Sequence, residues 1–468
     1  MNRLLVWCCV AIVAGAGCKE EAPLGSGGGT PVPEPQLARG HMFRLELDTL
    51  KVDKVVGSGG SAQTLKNVLG DHGLLIWTPE REASLVVVGL TGAPGSYATS
   101  RYTRVKRQND PVAVRLEPFA VGMQLRDGRR LELEISSSRL TLPGGGSPPD
   151  GELDKDVQLE ARGGFSLALG DTRISGSITG TWMGGRDSSP PEVQVVAPAA
   201  GIVTGKVEVF FDEPVKTERL PERLFIRDAA RNPLEMNIEV EKTDLPDATT
   251  HVTLKPRALL PFDAKLSVAV GSELTDLIGR RLDKPTITVF NTSTAPPLLV
   301  GHETDFGFAR GDDAIQRIGD VEYLTQFGLE RALGRYVRLK PPLAVGGTTS
   351  AIVTRLMPPG NASELRIRVR KLTRLREQST PCLTVVLAQP SGIPWTVDCG
   401  PTEAPREEIL GPDATWFATP WTDLIIPLSG QRGTEVVLAI DAAPLAPSMN
   451  PAMDAQFLIE RIHVVGGL

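Results

Sequence analysis

The sequence predicts an all-β protein of three tandem domains, and three observations carry that reading. Apolar and polar residues alternate at period two through much of the chain, the mark of half-buried strands. Glycine and proline number 48 and 38 among 468 residues, without a collagen-like period, and interrupt the chain too often for long helices. At about 150 residues per domain, this length makes roughly three domains. With 41% hydrophobic and 23% charged residues, there is ample material for packed cores.

The chain opens Met1-Asn2-Arg3, followed by an apolar run from Leu4 to Val13 and the small residues Ala14, Gly15, Ala16 and Gly17 ahead of Cys18. This is a secretory signal pattern, too short to span a bilayer as a stable helix. Small residues ending on a cysteine resemble the lipobox of bacterial lipoproteins, with Gly15 standing where Leu or a similar residue is usual. A plain signal peptide is the alternative. The resemblance implies that residues 1–17 are removed and that Cys18 carries two or three acyl chains, palmitate among them. Each buried CH₂ contributes about 0.8 kcal/mol, so one chain is marginal and several anchor stably. It also implies a lipid-anchored place in the bacterial cell envelope, and Lys19 in place of Asp after the cysteine leans toward the outer membrane. Residues 18–36, with Gly25-Ser26-Gly27-Gly28-Gly29 and Pro31 to Pro35, read as a flexible tether.

A formal net charge of −6 removes most of the electrostatic drive for nucleic-acid binding and gains nothing from an anionic membrane surface. The membrane partner is therefore reached through a covalent anchor.

Residues 37–186 read as a β-sandwich or small barrel of no recognised family. Phe43, Leu45 and Leu47 alternate, as do Leu131, Leu133 and Ile135 against Glu132 and Glu134, and Ile174, Ile178 and Trp182 with Gly176 and Gly180. Asp127-Gly128 signals a tight hairpin. Ala62 to Leu69 is the one short helix, apolar at 62, 65, 68 and 69.

Residues 190–295 open Pro190-Pro191-Glu192-Val193, pass through Lys206-Val207-Glu208-Val209-Phe210-Phe211-Asp212-Glu213-Pro214, and close with Leu274-Thr275-Asp276, Gly279, Leu282 and Phe290. This order resembles bacterial Ig-like domains of the SbsA type. The resemblance implies a β-sandwich that acts as a spacer and brings no catalytic residues. Val207, Val209 and Phe211 face inward, Lys206 and Glu208 outward, and Asp276 with Gly279 supplies turn chemistry.

Residues 296–468 are again strand-rich. Leu365, Ile367 and Val369 alternate with Arg366, Arg368 and Arg370, a half-buried strand with a basic outer face, and Val436, Leu438 and Ile440 form another. Cys382 and Cys399 lie across a hairpin reading, and in an exported chain they are most simply a disulfide worth about 3 kcal/mol. The opening Asp305-Phe306-Gly307 and the terminal strand loosely resemble carbohydrate-binding and galactose-binding-like jelly rolls; an unclassified sandwich is the alternative.

No catalytic motif is present: no GxSxG elbow, P-loop or metal-spaced histidines. No cofactor is required. Glu303, Asp305, Asp312, Asp313 and Asp320 are dense enough in hard oxygens to hold Ca²⁺, with Asp454 or Glu460 completing the shell, or they are solvated loop acids. Trp395, Trp416 and Trp421 either stack on sugar rings or are core rings. The function read from these residues is a non-enzymatic binding or structural role in the envelope, with a polysaccharide or an envelope protein as partner. The alternative is a polysaccharide-acting hydrolase or its accessory carbohydrate-binding subunit.

Overall fold

The structure, a computed structural model, describes residues 41–57, 62–70, 72–78, 85–91, 97–98, 101–107, 113–116, 118–124, 130–141, 157–169, 172–198, 203, 205–241, 247–299, 305–306, 315–327, 330–341, 350–373, 382–389, 395–401, 407–410, 415–428, 432–443 and 455–466. It is all-β apart from two short helices among these residues.

The first sheet contains β1 (His41–Val56), β2 (Gly73–Thr78), β3 (Leu85–Thr91), β4 (Tyr97–Ala98), β5 (Arg101–Arg107), β6 (Ala113–Leu116), β7 (Phe119–Gln124), β8 (Arg130–Thr141), β9 (Val157–Leu169) and β10 (Thr172–Arg186). Antiparallel pairings run β8-β6-β5-β3-β2-β1-β10-β9, and β9 returns to β8, so the sheet closes into a barrel with β7 and β4 as a branch. The alternation read in the sequence sets the polarity of the wall. Phe43, Leu45, Leu131, Leu133 and Ile135 are buried inside, while Arg44, Glu132 and Glu134 face out. That is the inverse of a lipid-facing barrel, whose outer residues are apolar. In β1 the period slips at a bulge between Leu47 and Thr49, after which Leu50 and Val52 pack on the core. The helix α1 (Ala62–Gly70) joins β1 to β2 and buries Leu65, Val68 and Leu69 in the same core.

Closure forces the strands into tight contact at a few places. A Cβ on Gly163 would lie 1.9 Å from the Glu134 carbonyl oxygen, beside the register shift between Ile135 and Ser137. A Cβ on Gly180 would lie 2.5 Å from the Trp182 ring, which lies over it. Glycine at such corners lets the sheet coil, and the aromatic ring covers the backbone it leaves bare.

The second unit is a two-sheet sandwich. One sheet is four-stranded, in the order β11 (Val193–Val196), β12 (Val207–Lys216), β15 (Ala248–Pro256), β14 (Met236–Val240). The other is three-stranded, in the order β13 (Leu224–Arg227), β16 (Lys265–Val270), β17 (Thr286–Asn291), and α2 (Leu220–Arg223) precedes β13. Val207, Val209 and Phe211 point into the core. Asp276 caps its own turn, accepting the N–H groups of Ile278 (2.9 Å) and Arg280 (2.7 Å), and Gly279 takes φ +91, which a Cβ would strain.

The third unit is a larger sandwich. Its six-stranded sheet runs β18 (Leu298–Leu299), β23 (Ser350–Leu356), β30 (Val436–Ala443), β25 (Cys382–Ala388), β26 (Trp395–Gly400), with β20 (Gln316–Ile318) also on β23. The eight-stranded sheet runs β21 (Val321–Phe327), β22 (Glu330–Leu339), β31 (Gln456–Gly466), β24 (Ala362–Thr373), β28 (Thr415–Ala418), β27 (Glu407–Leu410), joined by β19 (Asp305–Phe306) and β29 (Thr422–Pro427). Leu365, Ile367 and Val369 meet Val436, Leu438 and Ile440 between the sheets.

Here the structure departs from a half-buried reading of β30. Val437 and Ala439, on its other face, are also buried and join Ile318, Ala351 and Val353 in the core of the second unit. The run Val436 to Ile440 is apolar throughout, as a strand covered on both sides must be. Arg370, expected on the basic outer face, is only 1% exposed.

Gly163→Ala is expected to destabilise by about 3 kcal/mol, because the clash is with backbone and cannot be relieved by a rotamer change. Gly164→Ala, whose Cβ would lie 3.6 Å from the Gly176 carbonyl oxygen, serves as the tolerated control in urea denaturation.

Candidate functional site

Cys18, Glu303, Asp312, Asp313 and Asp454 lie outside the described residues. Asp305 pairs with His463 through β19 and β31, which brings the start of the third unit to its last strand. Asp320 faces Arg338 at 3.5 Å, and Glu460 is engaged by Arg368 Nε at 2.7 Å. Among the described residues no group of three or more His, Cys, Asp or Glu is arranged to hold a metal. Cys382 and Cys399 stand on adjacent strands, one on each side of the Leu383–Gly400 pair, next to a bulge. Their side chains are outside the described residues, and no disulfide is found among those described.

The three tryptophans separate. Trp395 is half-buried against the main core of the sandwich. Trp416, 6% exposed, belongs to a small cluster with Leu372, Ala418 and Leu458 on the outer face of the eight-stranded sheet, and its surroundings are those of a core ring. Trp421 packs at the edge of that cluster and keeps part of its surface in solvent.

Around Trp421 the strand alternation gathers a cluster of rings and cations, with Arg370 and Tyr336 buried and Trp421 and Arg368 reaching solvent. Because Leu365, Ile367 and Val369 face the core, Arg366, Arg368 and Arg370 leave β24 on the other side. The guanidinium carbons of Arg370 and Arg368 lie 5.3 Å and 6.0 Å from the Trp421 ring centre, within cation–π range. Tyr336 of β22 stacks on Trp421 with centroids 5.5 Å apart. Arg370 Nε donates to the Thr419 carbonyl at 3.1 Å. Arg368 also faces Asp423 at 3.6 Å, and Arg366 is paired with Glu364. Next to Arg370, Lys371 donates to the Pro401 carbonyl, and burial pushes its ammonium pKa below the usual lysine range.

A second polar cluster sits where the barrel meets the second unit, and the sequence reading missed it. Arg44, facing out of the barrel wall, reaches Asp187 (3.3 Å), Asp212 (3.1 Å) and Glu213 (3.9 Å). Asp187 ties the segment after β10 back to the barrel, its N–H donating to the Met42 carbonyl at 2.7 Å. Asp212 accepts the Glu192 N–H at 2.7 Å. An apolar patch of Met42, Leu75, Ala248 and Leu277 lies across the same joint. Burial raises the Asp212 pKa and holds the Glu213 carboxyl protonated up to about 10, with Asp212, Asp187 and Asp276 adding to the shift. Burial likewise raises Asp276 to about 6, against the three backbone N–H groups that favour its charge. Arg44 is raised in turn: burial is the largest single effect and lowers it, but Asp187, Asp212 and Glu213 together raise it by more. No spacing rule links these residues, since Arg44 is 143 positions from Asp187 and 168 from Asp212.

Residues 187–292 match the family model of the bacterial Ig-like domain. Comparison with curated protein sequences finds no match. Among solved structures, the chain is similar to carbohydrate-binding modules of the β-sandwich superfamily (10% identity, 60% of this chain and 99% of that chain, TM-score 0.21). It is also similar to the exo-β-1,3-galactanase of Phanerochaete chrysosporium (12%, 85% and 94%, 0.19) and to α-2-macroglobulin of Escherichia coli, domains MG0-NIE-MG1 (11%, 54% and 66%, 0.21). At TM-scores this low, none of these transfers an activity to the chain.

Arg44→Ala is expected to cost about 3 kcal/mol, because it leaves carboxylates at the joint without their cation. Urea denaturation of the variant beside wild type checks this, and equal midpoints would place the acids in solvent contact.

Proposed function

We propose that this chain is an exported bacterial envelope protein, anchored through lipid on Cys18, with a binding rather than an enzymatic role. Its ligand surface is the Trp421 face of the third unit, and the ligand class is polysaccharide. One observation carries the reading: a partly exposed indole bordered by the Arg368 and Arg370 guanidiniums and by Tyr336, on the outer face of a wide sheet. A pyranose ring has an apolar C–H face and a rim of hydroxyls. The solvent-exposed part of the indole suits the first, and the part-exposed Arg368 guanidinium beside it suits the second, with Arg370 and Tyr336 as buried supports behind the ring.

Among the described residues, binding is favoured over hydrolysis by how the carboxylates beside Trp421 are used. Glycoside hydrolysis needs two carboxyl groups free to act on either side of the scissile bond. Asp423 and Glu460 are instead both committed to Arg368. Trp395 and Trp416 then serve as packing residues. The Ig-like domain supports the presenting sandwich, its role in the resemblance read from the sequence. The anchor rests on the signal pattern and on Cys18 alone, with Lys19 favouring the outer membrane.

Retention on immobilised envelope and plant polysaccharides is expected for the wild-type protein. Trp421→Ala should weaken it about tenfold, equivalent to about 1.4 kcal/mol, and Arg368→Ala should weaken it less. Unchanged retention in both variants, or no retention of wild type on any polysaccharide, sinks the reading. For the anchor, Cys18→Ala is expected to move the protein from the detergent phase to the aqueous phase on phase separation.

A further inference from the structure

We propose that the joint between the barrel and the Ig-like domain is fastened by a proton shared between Glu213 and Asp187. The Glu213 side chain is fully buried, and neither of its carboxyl oxygens meets an N–H or O–H donor among the described residues. Asp187 Oδ2 and Asp276 Oδ2 are buried in the same condition. The charged groups facing Glu213 are Arg44 from β1, Asp187 from the segment after β10, Asp212 from its own strand and Asp276 from the turn after β16. Asp212 in turn accepts the Glu192 backbone N–H at 2.7 Å. Among the described residues one guanidinium, already engaged at 3.3 Å and 3.1 Å, faces these carboxylates, too little charge to neutralise them all.

A carboxylate can only accept, so two ionised carboxylates within hydrogen-bonding reach repel; protonating one turns the contact into an O–H···O bond. The Glu213 and Asp187 carboxyl groups both flank the Arg44 guanidinium, at 3.9 Å and 3.3 Å, and each turns a buried oxygen with no partner among the described residues into the joint. The proton then supplies the missing donor, linking a strand of the Ig-like domain to the segment that Met42 holds on the barrel. Burial keeps the proton on Glu213 well above the range where an exposed glutamate loses it.

The sign of the pH dependence follows. Between about 4.5, where the unfolded glutamate ionises, and about 10, where the folded one does, the folded chain holds a proton that the unfolded chain has released. Stability therefore falls as pH rises through that window, and Asp276 adds a smaller fall of the same sign that ends near 6.

The test is a series of thermal melts of the full chain from about pH 6 to about pH 10, with and without Glu213→Gln, together with infrared spectra at about pH 8. The wild-type Tm is expected to fall steadily with pH. The neutral amide should flatten that slope and raise the Tm at the alkaline end. The infrared spectrum of wild type should show a protonated carboxyl that is lost in Glu213→Gln. Parallel pH slopes for the two proteins, or no protonated carboxyl in wild type, overturn the proposal. So does a rise in wild-type Tm with millimolar calcium that Glu213→Gln abolishes, since the acids would then be a cation site. Should the variant fail to fold, the wild-type infrared band decides the question without it.

Discussion

Burial of the six-stranded sheet on both faces is the constraint on which the arrangement depends. One face of that sheet closes the third unit's own core through Val436, Leu438 and Ile440. The other, through Ile318, Ala351, Val353, Val437 and Ala439, completes the core of the Ig-like sandwich. An apolar face of that size costs free energy wherever it is left in water, so the two sandwiches are held by the same force that folds each of them. Polar contacts at this boundary follow the packing. Arg355 pairs with Glu435 at 2.7 Å and donates to the Pro296 carbonyl at 3.1 Å, fixing the connecting segment once the sheets have met.

The boundary on the other side of the Ig-like domain is built differently. Its apolar patch is small, and a cluster of acids around Arg44 does much of the joining. Burying charge is costly unless it is paired, and here the pairing is incomplete in ordinary ionic form. The two boundaries therefore respond differently to their surroundings. The apolar one depends on temperature and cosolvent, the acidic one on proton concentration.

Much of this was legible in the residues because strands announce themselves locally. The period-two runs at 131–135 and 365–369, the short helix near 62–69, and the order of motifs from Pro190 to Phe290 all describe neighbours in sequence. What was not legible was which outward side chains would meet another unit. Arg44 sits between Phe43 and Leu45, so alternation assigns it to the outside of the barrel, and that is where it lies. The outside at that point is the inside of a joint. Asp276 was readable as a turn residue and is one, yet the same carboxyl also faces Glu213. Alternation likewise picked one face of β30 and left Val437 and Ala439 as the other face, because a continuous apolar run does not say how many partners will cover it. Trp416 and Trp421, five residues apart, shared one reading, and only packing separates a core ring from a partly exposed one.

The shared core has a consequence for inheritance. Ig-like units are suited to transfer between proteins when each carries its whole hydrophobic interior within its own boundaries. Here part of that interior belongs to the neighbour: Ile318, Ala351, Val353, Val437 and Ala439 lie beyond residue 292, where the family match ends. A genetic exchange cut at that boundary would leave a donor sheet stripped on one face and a recipient with a gap in its core. The pair is thus expected to travel through evolution as one indivisible block, in which substitutions on one side are answered by substitutions on the other.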